Sequence, residues 1–150
     1  MPRTQRISSM PELFSRFLAR LDQEQGYPSA PADDKRLEYL FANDIVVTAT
    51  VTEEEDRLVL DAWAWDASIL HPAGRSALLG SLLGLNGVAA LTHGATFSLD
   101  EEDRIVLSRT LELANLAPRA YLEALDALVT QVRQLQRLIL AMPPGILIAT

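Results

Sequence analysis

One acidic phrase that precedes an alternating strand occurs twice in the chain, and this repeat constrains the fold more than any other feature. The string EEEDRLVLD covers residues 53–61, and EEDRIVLS covers residues 101–108. In each copy an acidic turn comes before alternating apolar and polar residues, which is typical of a half-buried strand. The repeat therefore predicts two hairpins, each followed by a helix-like segment. Convergence on hairpin chemistry and an ancestral duplication both explain it.

Apolar residues at helical spacing predict three helices. The first begins at a capping box on Ser9 with Pro11 in its first turn, and it ends near Gly26. The second begins at Pro72, runs for about fifteen residues by its apolar pattern and ends at Asn86-Gly87. The third begins at Pro118 and continues through Met142.

Alternation predicts five strands, three before the second helix and two after it. They cover residues 37–43, 45–52, 57–67, 96–99 and 104–113. The element order is therefore α-β-β-β-α-β-β-α, and we predict an α+β fold with helices packed on an antiparallel sheet. In the third strand we expect one face to carry Leu58, Leu60, Ala62 and Ala64, and the other to carry Val59, Asp61, Trp63 and Trp65.

Length and composition predict a single domain over residues 1–150, with an ordered core at about 9–142. Apolar residues make up 49% and charged residues 22% of the chain, which is typical of a folded protein. The net charge of −7 and the scattered basic residues argue against nucleic acid as a partner. Cysteine is absent from the sequence, so disulfides and thiolate metal sites are excluded, which fits the cytoplasm.

Membrane insertion and a signal peptide are not predicted. The longest apolar stretch, residues 77–91, is interrupted by Gly80, Gly84 and Gly87, and it is shorter than the roughly 20 residues that a membrane span needs. The first ten residues, MPRTQRISSM, contain no apolar segment. We therefore expect a cytoplasmic protein.

Candidate catalytic and metal-binding residues form no known motif. Asp66, His71 and Ser76 are evenly spaced, but a small hydrolase that uses them lacks a nucleophile motif. His71 and His93, without any cysteine, make a weak case for a zinc site. The acidic turns lack the spacing of a calcium-binding loop. The glycines at 80, 84 and 87 do not form a dinucleotide fingerprint. We predict no catalytic residue, no metal and no cofactor.

Large apolar side chains are more numerous than a catalytic site would require. Trp63 and Trp65 form either a core face under a helix or an exposed apolar platform, and aromatic residues on such a platform are typical binding anchors. Phe14 and Leu18 lie on one edge of the first helix, and its other edge is also apolar, so the pattern leaves open whether one sheet covers both edges. This pattern favours a protein-binding role.

The stretch LLGSLLGLNGVAALTHGATFSLDEEDRIVLSRTLEL, from Leu78 to Leu113, combines several features of a known family. A leucine-rich helix ends in Leu85-Asn86, a turn contains Gly94, and a hairpin runs from Leu99-Asp100 through Leu107 before a long amphipathic helix. With the element order, this stretch resembles the class I chaperones of bacterial type III secretion, the Tir-chaperone (CesT-like) family. The resemblance covers roughly residues 10–142. A Pro-rich connector at 27–34, a last helix without tryptophan and an apolar tail at 146–150 depart from the pattern.

The resemblance implies a cytoplasmic homodimer without cofactor or enzymatic activity, which holds the N-terminal region of a secreted effector extended for export. A related regulatory module that binds a folded protein partner is the alternative. By family position, the resemblance implies effector contact at Phe14, Leu18, Leu21, Phe41, Val47, Val59, Trp63 and Trp65. It implies a two-fold interface at Leu78, Leu79, Gly80, Leu82, Leu83, Gly84 and Leu85.

Overall fold

The helices and strands follow each other in the predicted order, α-β-β-β-α-β-β-α, which confirms the α+β class. The computed structural model describes residues 12–27, 31, 33–54, 56–66, 72–85 and 95–141. The predicted caps at Ser9, Pro11 and Asn86-Gly87 lie outside these residues, as do both histidines and the apolar tail. The elements are α1 (Glu12–Gln25), β1 (Arg36–Phe41), β2 (Ile45–Val51), β3 (Arg57–Asp66), α2 (Pro72–Leu85), β4 (Thr96–Leu99), β5 (Arg104–Glu112) and α3 (Pro118–Leu140).

All neighbouring strands of the sheet are antiparallel, and their order is β1-β2-β3-β5-β4. Because β5 lies between β3 and β4, the edges of the sheet are β1 and β4. The two copies of the repeated phrase therefore begin adjacent strands that run in opposite directions. Asp61 and Ser108, which occupy the same position in the two copies, are directly opposed, and the Ser108 hydroxyl donates to the Asp61 carboxylate. The repeat is thus arranged about a local two-fold axis at this pair.

Left-handed backbone conformations end α1 and precede two of the strands, and one carboxylate stabilises the turn before β5. Gly26 ends α1 in the left-handed region, with φ of 60°, and Asp44 and Asp103 adopt similar values before β2 and β5. The Asp100 carboxylate accepts hydrogen bonds from the backbone N–H groups of Glu102 and Arg104 and from the Arg104 guanidinium. Burial raises the pKa of Asp100, but these hydrogen bonds outweigh it and hold the pKa below the ordinary 3.8.

The core lies between one face of the sheet and the helices α1 and α3. Every second residue of β2 is buried, and on β3 the predicted core residues Leu58, Leu60, Ala62 and Ala64 are all buried. Phe17 of α1 meets Tyr121 of α3 edge to face, with ring centroids 5.0 Å apart. Helix α3 covers the side of α1 that carries Phe14, Phe17 and Leu21. These three side chains are therefore buried.

A β-bulge separates the two tryptophans. Trp63 lies opposite Val106, but Trp65 lies opposite Ile105, so Ala64 is an extra residue on β3. Ile105 is fully buried, and Trp65 packs against the same core. The prediction that both indoles share a face is therefore wrong, because the bulge reverses the alternation of side chains after Trp63.

Candidate protein-binding site

The edge strand β1 directs part of its backbone away from the sheet. The Lys35 carbonyl accepts the Val51 N–H of β2, whereas the Arg36 N–H and carbonyl are paired with Asp33 on the other side. Because neighbouring residues of a strand direct their backbone groups to opposite sides, Glu38 and Leu40 direct theirs to the free edge, like Arg36. The free edge of β1 therefore presents backbone donors and acceptors at the spacing with which another strand pairs.

An apolar row crosses the face of the sheet opposite the core. Leu40 is 73% exposed and lies opposite Val46, and Trp63 is 40% exposed and lies opposite Val106. The register of β2 and β3 brings Val46 beside Trp63, one step beyond the pair Val47–Ala62. The Arg104 guanidinium carbon lies 3.6 Å from the centre of the Trp63 ring, which is a cation–π geometry. Leu40, Val46, Trp63 and Val106 are called the outer row below.

A groove of about 260 Å³ lies on the core side of the same edge. It is bounded by Tyr27, two residues after the end of α1, by the last residue of β1 and by one stripe of α3, and most of this lining is apolar. Two opposite charges lie on this stripe of α3, Asp126 and Arg133, with the apolar Val129 between them. The lining residues are Tyr27, Phe41, Leu122, Leu125, Asp126, Val129 and Arg133.

Aromatic side chains fix the wall of the groove at β1. The Tyr39 ring lies 6.0 Å from Tyr27 and 6.1 Å from Phe41, and its hydroxyl lies 2.8 Å from that of Tyr121. Tyr121 is fully buried, and burial together with the neighbouring Tyr39 raises the pKa of its phenol far above the ordinary 10.0. A neutral hydrogen-bonded pair therefore holds β1 against α3 behind the groove.

Helix α2 differs from the other two helices in composition, because its only polar residues are Arg75, Ser76 and Ser81. Leu78 is buried in the core, Leu79 is half-buried, and the exposed Gly80 has open space where a side chain would begin. Near the start of the helix, Arg75 pairs with Asp103 of the second hairpin at 3.0 Å. The side chains of residues 82–85 lie outside the described part of the chain.

The predicted effector-contact residues fall into three groups in the folded chain. Phe14, Leu21 and Val47 are fully buried, so their side chains offer no surface to a partner. Trp63 alone among the eight is exposed, on the outer row. The others are half-buried: Leu18, Phe41, Val59 and Trp65.

Sequence reasoning missed the groove stripe on α3 and the exposed Leu40. Leu122, Leu125 and Val129 fit the helical periodicity of α3, but periodicity alone does not show which of them border a groove beside β1. Leu40 is an apolar residue on the polar side of β1, and this break in alternation was the available signal. Arg133 carried no signal, because its position depends on how α3 lies beside β1.

The hydrolase residues and the metal sites that the sequence analysis considered gain no support from the described residues. Asp66 and Ser76 are exposed, and His71 lies outside the described part of the chain. No group of three potential metal-ligating side chains occurs within that part. Among the described helices, none combines the length and the apolarity that a membrane crossing needs.

The fold and the sequence together match those of a class of small α+β chaperones. The Tir chaperone protein (CesT) family matches residues 16–136, which is most of the chain. The chain belongs to this family. A search of curated proteins finds no relative.

Solved structures of similar fold cover most of the chain. The ExsC–ExsE complex gives a TM-score of 0.68 at 24% identity, over 82% of this chain and 90% of that one. The HopA1–SchA chaperone–effector complex gives 0.66 at 15% identity, over 87% and 97%. The Yersinia pestis type III secretion chaperone SycH, in complex with a fragment of YscM2, gives 0.64 at 19% identity, over 81% and 98%. At identities below 25%, these TM-scores establish a shared fold.

Proposed function

We propose that this protein binds the N-terminal region of a type III secreted effector and keeps it extended for export, as a non-catalytic cytoplasmic homodimer. The observation that carries the proposal is the open edge of β1 beside an apolar groove. Membership of the Tir chaperone family supports it, and so do the similar structures, which include chaperone–effector complexes.

Strand addition accounts for how such a segment binds. An extended segment beside β1 pairs its backbone with Glu38 and Leu40, which gives affinity without dependence on sequence. Its alternate side chains then point to opposite faces, one set toward Phe41 and the groove, the other toward Leu40 and the outer row. The bound segment cannot fold on itself while its backbone is paired.

Helix α2 is the proposed contact between two copies. Its polar residues are few, so its apolar residues are more numerous than one buried face requires, and Gly80 leaves room for close approach. The proposed interface keeps the predicted residues Leu79, Gly80, Leu82, Leu83, Gly84 and Leu85, whereas the predicted Leu78 is buried in the core and offers no surface to a second copy. A two-fold contact would pair this surface with itself.

The first experiment is capture of the partner from the native host by the tagged protein, followed by mass spectrometry and limited proteolysis of the complex. We expect one dominant secreted protein that is protected from protease only over an N-proximal segment. A partner that resists protease throughout its length would instead support the regulatory module that binds a folded protein.

A further inference from the structure

Arg133 is a cation at the end of the groove without a counter-ion among the described residues. Its Nε is buried and has no hydrogen-bond acceptor there. By contrast, Arg104 and Arg75 each pair with a carboxylate of the second hairpin. A buried N–H donor without an acceptor is destabilising, because the loss of its hydration is not offset.

The other charge of the groove cannot satisfy Arg133. Asp126 lies seven residues earlier on α3, which is about 10 Å along a helix axis, and Val129 of the apolar floor lies between them. The groove therefore has a positive end at Arg133, and its one carboxylate, Asp126, lies between Leu122 and Val129. A ligand carboxylate is repelled near Asp126 and attracted at the Arg133 end.

We propose that Arg133 selects a carboxylate in the bound segment, so that the groove takes an apolar side chain flanked on the Arg133 side by Asp or Glu. This inference rests on the proposed strand addition at β1 and names the chemistry of its partner. A guanidinium binds a carboxylate through a charge-assisted pair of hydrogen bonds, which are stronger than bonds to a neutral amide or carbonyl. The half-buried Phe41 and Leu122 provide the apolar contact.

The test uses synthetic twelve-residue peptides in which Val and Thr alternate and one position, scanned along the peptide, is Asp, Asn or Lys. Fluorescence anisotropy gives their affinities for the full chain. We expect the chain to prefer Asp over Asn about tenfold at one register, the size of effect that a charged hydrogen bond gives. Arg133→Gln should remove this preference, and Arg133→Glu should change it to Lys.

Arg137→Gln is the matched control, because Arg137 is an exposed cation one turn further along α3 and does not line the groove. It should keep the preference for Asp, as should Arg133→Lys in weaker form. Circular dichroism checks that each variant is folded. Equal affinity for Asp and Asn, or a preference that survives in Arg133→Gln, would overturn the role of Arg133 and leave strand addition intact. If no peptide binds, strand addition at β1 and this inference are both overturned.

Discussion

Trp63 and Trp65 are two residues apart, yet a bulge gives them different environments, and their substitutions should differ accordingly. Trp63→Ala removes an exposed ring and one cation–π contact with Arg104, so we expect a loss of about 1 kcal/mol in the free energy of unfolding. Trp65→Ala leaves a gap against the core and should cost about 3 kcal/mol. Urea unfolding measures both values.

Partner capture should depend more on Trp63 than on Trp65, the reverse of their effects on stability. Trp63→Asp, in a chain that remains folded, should weaken capture because Trp63 is the largest side chain of the outer row. Unchanged capture by Trp63→Asp would remove the outer row from the binding surface. In the unfolding experiment, equal stability losses in Trp63→Ala and Trp65→Ala would assign both rings to the core.

Tyr121 should make the free energy of unfolding depend on pH in the alkaline range. Its pKa is raised in the folded chain, whereas in the unfolded chain it ionises near 10. The unfolded state therefore loses a proton first, and stability falls as pH rises above 10, by at most about 1.4 kcal/mol per pH unit for one group. Tyr121→Phe should cost about 1 kcal/mol at pH 7 and lack this decline.

The control for Tyr121 is the double variant with Tyr39→Phe. Because the two hydroxyls are partners at 2.8 Å, removing both leaves no unpaired group, and the double variant should be less destabilised than the sum of the single variants. Additive losses would mean that the pair does not stabilise the fold. If Tyr121→Phe declines above pH 10 as the natural chain does, another group causes the decline.

At the scale of elements, the open edge of β1 allows a test that spares the fold. Glu38→Pro removes a backbone N–H that points to the free edge, so no hydrogen bond to β2 is lost. We expect near-normal thermal stability and a strong loss of partner capture, whereas Glu38→Ala should capture normally. Normal capture by Glu38→Pro would move the binding segment away from this edge.

The sequence predicted the elements better than the surfaces between them. Strong alternation in β2 and the flanking glycine and prolines located the strands and helices to within two residues over the described ranges. The bulge at Ala64 escaped prediction because inserting one residue leaves the apolar composition unchanged while it moves Trp65 to the core side. The edges escaped because they depend on β5 lying between β3 and β4.

At the scale of the whole molecule, the proposed pairing of two chains through α2 has a direct test. Leu82→Asp places a charge within the leucine-rich helix, and burying an unpaired charge in an apolar interface is strongly unfavourable. We expect a monomer by light scattering coupled to size exclusion. Ser81→Asp is the control, because Ser81 is exposed on the same helix. A Leu82→Asp dimer would place the interface elsewhere.

The open edge of β1 also affects how copies of the free chain behave toward each other. An unpaired strand edge is a template for any other strand, including the same edge of another copy. The net charge of −7 opposes such encounters at neutral pH, but this repulsion vanishes as pH approaches the isoelectric point of about 4.7. The free protein should therefore be least soluble near that pH, and a bound segment that covers the edge should restore its solubility there.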